Sequence, residues 1–145
     1  MIETVELKPL TPETFGAFFA LIAALADFEK LPPPDDEAAA RLKDHAFAER
    51  PKFEALLAFA GSEPVGYAIF FETYSSFLAK PTLYLEDVFV IEPFRGRKVA
   101  SQIFRHLTAL AAERQCGRME WQVLEWNTPA IKFYQKLGAV HQAAW

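Results

Sequence analysis

At 145 residues with a formal net charge of −4, the chain suits one compact domain, and its mild acidity disfavours nucleic acid as its main partner. Hydrophobic residues make up 52% and charged residues 23%, which excludes a disordered chain, and no apolar run reaches the length of a membrane span. The single cysteine, Cys116, excludes an internal disulfide and a multi-cysteine metal site, so a reducing cytoplasm is the expected setting.

In chain order, residues 4–10 read as a first strand. Thr11-Pro12-Glu13 starts a helix, with threonine as cap and proline in the first turn. Phe15, Phe18, Phe19, Ile22, Leu25 and Ala26 follow at helical spacing and form a core stripe. Leu31 and three prolines break that pattern, and Asp35 or Asp36 caps a second helix reaching about Phe47. Residues 53–60 and 65–73 read as strands of a hairpin, joined by the turn Gly61-Ser62-Glu63-Pro64. Residues 74–82 read as a loop and residues 83–91 as the next strand. An amphipathic helix follows, with Ile103, Phe104, Leu107, Leu110 and Ala111 on one face and Gly117 as its stop signal. Residues 119–124 form a further strand, Asn127-Thr128-Pro129 opens a last helix that Gly138 closes, and residues 139–145 start one more strand. The order β-α-α-β-β-β-α-β-α-β is α/β with a mixed sheet in a single domain, residues 1–145. A crossover helix joins the fourth and fifth strands, which requires them to be parallel.

Two stretches carry chemistry. The turn Arg95-Gly96-Arg97-Lys98 runs from a strand into a helix N-terminus, where free N–H groups and the helix dipole favour an anion such as a phosphate. The strand before it contains two adjacent carboxylates, Glu86 and Asp87. Strict alternation puts them on opposite faces, so one should point toward the core or a cleft. Desolvation in an apolar strand raises a carboxyl pKa and suits a general base; Glu86, flanked by Leu85 and Val88, fits that task. His45, His106 and His141 are scattered without metal spacing.

These residues resemble the GNAT N-acetyltransferases, and among them the diamine (spermidine/spermine) and thialysine acetyltransferase group. Tyr84-Leu85-Glu86-Asp87-Val88-Phe89-Val90 looks like that group's fourth-strand signature. Glu125-Trp126-Asn127, Phe133-Tyr134 and Leu137-Gly138-Ala139 look like its C-terminal signature. The resemblance implies the GNAT acyl-CoA N-acyltransferase fold, a mixed central sheet flanked by helices. It implies an enzyme that moves an acetyl group from acetyl-CoA directly to the primary amine of a small molecule, with no metal, no nucleic acid and no membrane, as a homodimer.

The family's acetyl-CoA loop, Q/R-x-x-G-x-G/A, corresponds to Arg95-Gly96-Arg97-Lys98-Val99-Ala100, followed by Ser101. Lys98 replaces the central glycine, and its side chain must point outward or fold over a CoA phosphate. By resemblance Glu86 is the base, through water, and Asp87 and Glu29 hold the cationic substrate. Tyr134 is the general acid for the CoA thiolate, against a plain reading as a packing tyrosine. Asn127 is both a helix cap and a CoA contact. A backbone N–H at Phe89 or Val90 serves the oxyanion. Serine in Thr73-Tyr74-Ser75-Ser76, where polyamine enzymes tend to carry an acid, favours thialysine or a lysine-like amino acid over a polyamine. Polyamine acetylation is the runner-up, and a non-catalytic acyl-CoA-binding module is the reading from another class. The family continues into another strand beyond the position of Trp145. That strand is expected either to lie outside this sequence or to be supplied by a partner chain.

Overall fold

Local chemistry fixes several element boundaries in a computed structural model, which describes residues 1–142. The strand β1 (Glu6–Pro9) is followed by a short 3-10 turn over Pro12–Thr14, and then by α1 (Phe15–Phe28). Asp35 caps α2 (Asp36–Ala46): its Oδ1 accepts the Ala38 N–H at 2.8 Å. Next come β2 (Glu54–Ala60), β3 (Glu63–Ser75) and β4 (Lys80–Val90). The helix α3 (Val99–Glu113) crosses over to β5 (Arg118–Trp121). Asn127 then caps α4 (Thr128–Lys136), accepting the Ala130 N–H at 3.3 Å. The sheet order is β1-β2-β3-β4-β5; the first four strands are antiparallel and β5 runs parallel to β4, as the crossover requires.

Three sequence expectations are corrected. The loop over residues 74–82 is mostly strand: Tyr74 pairs with Pro81 and Ser75 with Lys80, leaving a tight turn between them. The stop signal of α3 is Gln115, at φ +60°, and not Gly117. Gly117 is needed for a close approach instead, since a Cβ there would lie 2.9 Å from Leu78 Cδ1. Residues 139–142 are not in a strand, and the rest of the expected last strand lies outside the described residues.

Apolar side chains fill both faces of the sheet. Toward α3 lie Leu56, Ala68, Phe70, Leu83 and Leu85, packed with Ile103, Phe104 and Leu107. Toward α1 lie Leu57, Tyr67, Ile69 and Phe89, packed with Phe18 and Leu21. Along β4 the faces do not simply alternate. Phe70 pairs with Leu85 and Ile69 with Asp87, so Glu86 is an extra residue, a β-bulge. Beyond it the α3 side is carried by Val88 and Val90, and the α1 side by Phe89. A second irregularity lies at the other edge of β4. Its pairing with β5 covers only Thr82–Leu85, so among the described residues the stretch from Glu86 to Val90 has no strand beside it on that edge. The bulge and the end of β5 fall at the same point.

Candidate active site

The bulge turns Glu86 and Asp87 to the same side. Both line a cleft of about 380 Å³ on the α1/α2 side of the sheet. Ile22 of α1 and Pro34, Ala38 and Leu42 of α2 and its approach form one wall. Phe53 and Lys52 at the entry to β2, with Ile69 and Phe71 of β3, form another. The expectation that the two carboxylates point to opposite faces is therefore wrong, because alternation holds only in an unbroken ladder.

The two differ in environment. Glu86 stands exposed on the bulge, so the desolvated carboxylate expected at Glu86 is found one residue later. Burial pushes the Asp87 carboxyl up to about 6. The Tyr67 hydroxyl opposes this by donating to Asp87 Oδ2 at 3.1 Å, and the nearby charges of Glu86 and Glu29 reinforce it. Tyr67 is fully buried between Phe18 and Phe89, at ring centroid distances of 5.5 and 6.2 Å, and holds that oxygen in place. Burial and the adjacent acid push its own pKa up, so it remains a donor. Glu29 caps the C-terminal end of α1, half-buried, its N–H bonded to the Leu25 carbonyl at 2.9 Å. Among the described residues no set of His, Cys, Asp or Glu side chains groups as metal ligands.

The loop between β4 and α3 has the backbone of an anion cradle. Gly96 is at φ +75° and Lys98 at φ +67°, ψ 18°, both left-handed. The glycine that Lys98 replaces is thus favoured for its conformation as well as its size. The lysine accepts that conformation with its side chain exposed. Val99, Ala100 and Ser101 form the open first turn of α3, whose N–H groups precede the first helical bond, from Gln102 N–H to the Lys98 carbonyl at 3.2 Å. Such an end fits a phosphate.

Two of the three loop cations are engaged within the protein. Arg95 donates from Nε to the Val90 carbonyl at 2.9 Å, and its guanidinium lies 4.6 Å from the Phe28 ring and 5.4 Å from Phe89. Arg97 pairs with Glu3 at 3.5 Å and lies over Phe94. Sequence reasoning missed the tether of this loop. Gln102 donates to the Glu3 carbonyl at 2.6 Å and accepts from Val5 N–H at 3.1 Å, fastening α3 to the N-terminal segment. Nothing in the motif marks that glutamine. It missed Tyr67 and Lys52 as well, since neither lies in a motif.

The register also sorts the backbone of Phe89 and Val90. Ile91 N–H donates to the Val65 carbonyl at 2.9 Å, which makes that a hydrogen-bonded pair. The neighbouring pair Gly66 and Val90 is then non-bonded, with the Val90 N–H and carbonyl pointing away from β3 into the gap beyond β5. Arg95 on the Val90 carbonyl agrees with this. Phe89 directs its own groups at β3, and both side chains are buried in the core.

Tyr134 lies on the other side of the sheet. It belongs to an aromatic group with Trp121, Phe104 and Phe133, at centroid distances of 5.4, 5.8 and 5.7 Å. Burial pushes its pKa up and keeps the phenol protonated. Asn127 commits Oδ1 to the cap of α4. The carboxylates and the phenol thus lie on opposite faces of the sheet.

Residues 19–139 match the acetyltransferase (GNAT) family. The thialysine N-epsilon-acetyltransferase of Caenorhabditis elegans is 29% identical over 140 residues, covering 97% of this chain and 86% of that protein. The enzyme of the same name from Sus scrofa is 32% identical over 132 residues, covering 86% and 77%. Among solved structures, an aminoglycoside N-acetyltransferase in complex with CoA is 22% identical and superposes with a TM-score of 0.77, covering 96% of this chain and 90% of its own. With a mixed sheet that opens beside its fourth strand, a phosphate-type helix start after it, and a family match over most of its length, the chain belongs to the GNAT acetyltransferases.

Proposed function

We propose that the acceptor of this acetyl-CoA-dependent N-acetyltransferase is the primary amine of thialysine or a similar small lysine-like amino acid. The observation that carries this reading is the bulge, which turns Glu86 and Asp87 into one cleft beside the open edge of β4. The names of the full-length relatives support the substrate class.

An alkyl ammonium has a pKa of roughly 10 and is mostly protonated near pH 7. Glu86, exposed in the cleft, takes that proton directly or through water, while Asp87 and Glu29 hold the cation. The freed nitrogen attacks the thioester carbon, and the Val90 N–H donates to the developing oxyanion. Tyr134 gives its proton to the departing thiolate as the C–S bond breaks, and the second proton of the attacking nitrogen is lost through solvent, restoring the phenol. The start of α3, with Gly96, Lys98 and the N–H groups of Val99, Ala100 and Ser101, holds the pyrophosphate. Arg95 acts by shaping the floor under Val90, and Asn127 has its amide NH₂ available for the pantetheine arm. We also place the enzyme in the cytoplasm, where its cysteine stays reduced, and as a homodimer, in which a partner strand would cover the outer edge of β5.

Glu86→Gln should keep acetyl-CoA affinity and lower kcat by about 10²-fold at pH 7, with less loss at high pH where free amine is abundant. An unchanged kcat at pH 7 removes Glu86 from the reaction. One observation favours a second reading: a carboxyl with a pKa of about 6 suits a base near neutral pH, and that group is Asp87. If Asp87 is the base, the rate rises with pH through about 6 and Asp87→Asn abolishes that limb, whereas Glu86→Gln leaves it.

A further inference from the structure

Lys52 lines the same cleft as Glu86 and Asp87, and the chemistry above leaves it unused. Its backbone is fixed just ahead of β2 by its N–H, which donates to the His45 carbonyl at 3.1 Å. Among the described residues its ammonium forms no ion pair; the acids in ion pairs there are Glu3, Glu6, Glu54, Glu72 and Glu120. A cleft otherwise walled by Ile69, Phe71, Phe53 and Leu42 thus carries two anions and one uncommitted cation.

The sheet register gives their separation. Glu54 is level with Phe70, and Ile69 with Asp87, so Lys52 lies three residues along and two strands across from Asp87. At about 3.3 Å per residue and about 4.8 Å per strand, this sets the two backbones roughly 14 Å apart. Lys52 sits in a bend ahead of β2 and is not held to strand alternation, and its flexible side chain reaches the cleft that Asp87 lines. An extended lysine-like amino acid measures about 7 Å from terminal amine to carboxyl carbon, and a hydrogen bond of about 3 Å at each end brings the span to about 13 Å. Its methylenes or thioether would lie on the apolar wall between.

We propose that Lys52 reads the α-carboxylate of the acceptor, so that the cleft selects an amino acid carrying a terminal amine over the diamine that lacks the carboxylate. This rests on the acceptor reading given above and names the residue that sets it. A polyamine would bring a second cation to Lys52 with no anion to accompany it, and a like charge works against a ligand where a complementary one favours it.

The test uses matched pairs that differ in one carboxylate: thialysine against its decarboxylated diamine, and lysine against cadaverine. Thiol release and direct calorimetric titration are both read on wild type, Lys52→Gln and Lys52→Glu. Wild type should favour the amino acid in both readouts. Lys52→Gln should lower the ratio of kcat/KM, amino acid over diamine, at least about tenfold through KM, and Lys52→Glu should lower it further. A general defect in folding would lower both substrates together and leave the ratio unmoved; a ratio unchanged across the three proteins, or a wild type that prefers the diamine, overturns the assignment. Turnover without carboxylate preference would sink Lys52 alone. Carboxylate-dependent binding without turnover of any amine would uphold Lys52 and sink the acetyl-transfer reading.

Discussion

Tyr134 illustrates how one residue can carry a packing role and a chemical one. Its ring is fixed by Trp121, Phe104 and Phe133, and burial raises the pKa of its hydroxyl. Tyr134→Phe removes only the oxygen and leaves those ring contacts in place. We expect the acetyl-transfer rate to fall by about 10²-fold or more, with a thermal midpoint close to that of wild type. A loss of several kcal/mol in stability with an unchanged turnover number would make the hydroxyl structural.

At the scale of elements, the loop before α3 holds a lysine in a conformation suited to glycine. Left-handed backbone costs an ordinary residue about 1–2 kcal/mol, part of which glycine returns as chain entropy. Lys98→Gly should therefore stabilise the fold by up to about 1 kcal/mol in urea denaturation. If the exposed ammonium reaches a CoA phosphate, Lys98→Gly should also flatten the salt dependence of acetyl-CoA affinity, and Lys98→Ala should weaken binding outright. Tighter binding in both variants would instead mean that the lysine obstructs the site. The motif showed that this position departs from the family, but the reason glycine is favoured there became visible only as a backbone angle. The same holds for β4. Apolar content marked the strand and its two acids, and the crossover fixed its parallel partner β5. The bulge at Glu86 was not legible, since an inserted residue leaves no mark in a run of strand-forming residues, and alternation counted through it gave the wrong face for one acid. The desolvated carboxylate was accordingly sought at Glu86 and found at Asp87. The N-terminal caps Asp35 and Asn127 needed no such correction, because a cap depends on neighbours three residues away.

For the whole molecule, Asp87 links the site to stability. Its carboxyl titrates at about 6 in the folded chain against 3.8 as the reference value. Between those values the folded chain holds the extra proton, so the contribution is full below about 4 and is lost as pH rises through about 6. Asp87→Asn should remove a pH-dependent loss on the order of 1–3 kcal/mol, read as urea midpoints at pH 4.5 and 7.5 against wild type. Equal pH slopes in the two proteins would mean that Asp87 is not desolvated. A site that tolerates such a cost is consistent with a group kept for chemistry. The most direct test of the enzyme as a whole is thiol release from acetyl-CoA with and without a panel of primary amines, with the product identified by mass. Release of CoA matched by an N-acetylated amine, above the background without amine, is the expected result; binding of acetyl-CoA with no amine raising thiol release above that background would contradict it.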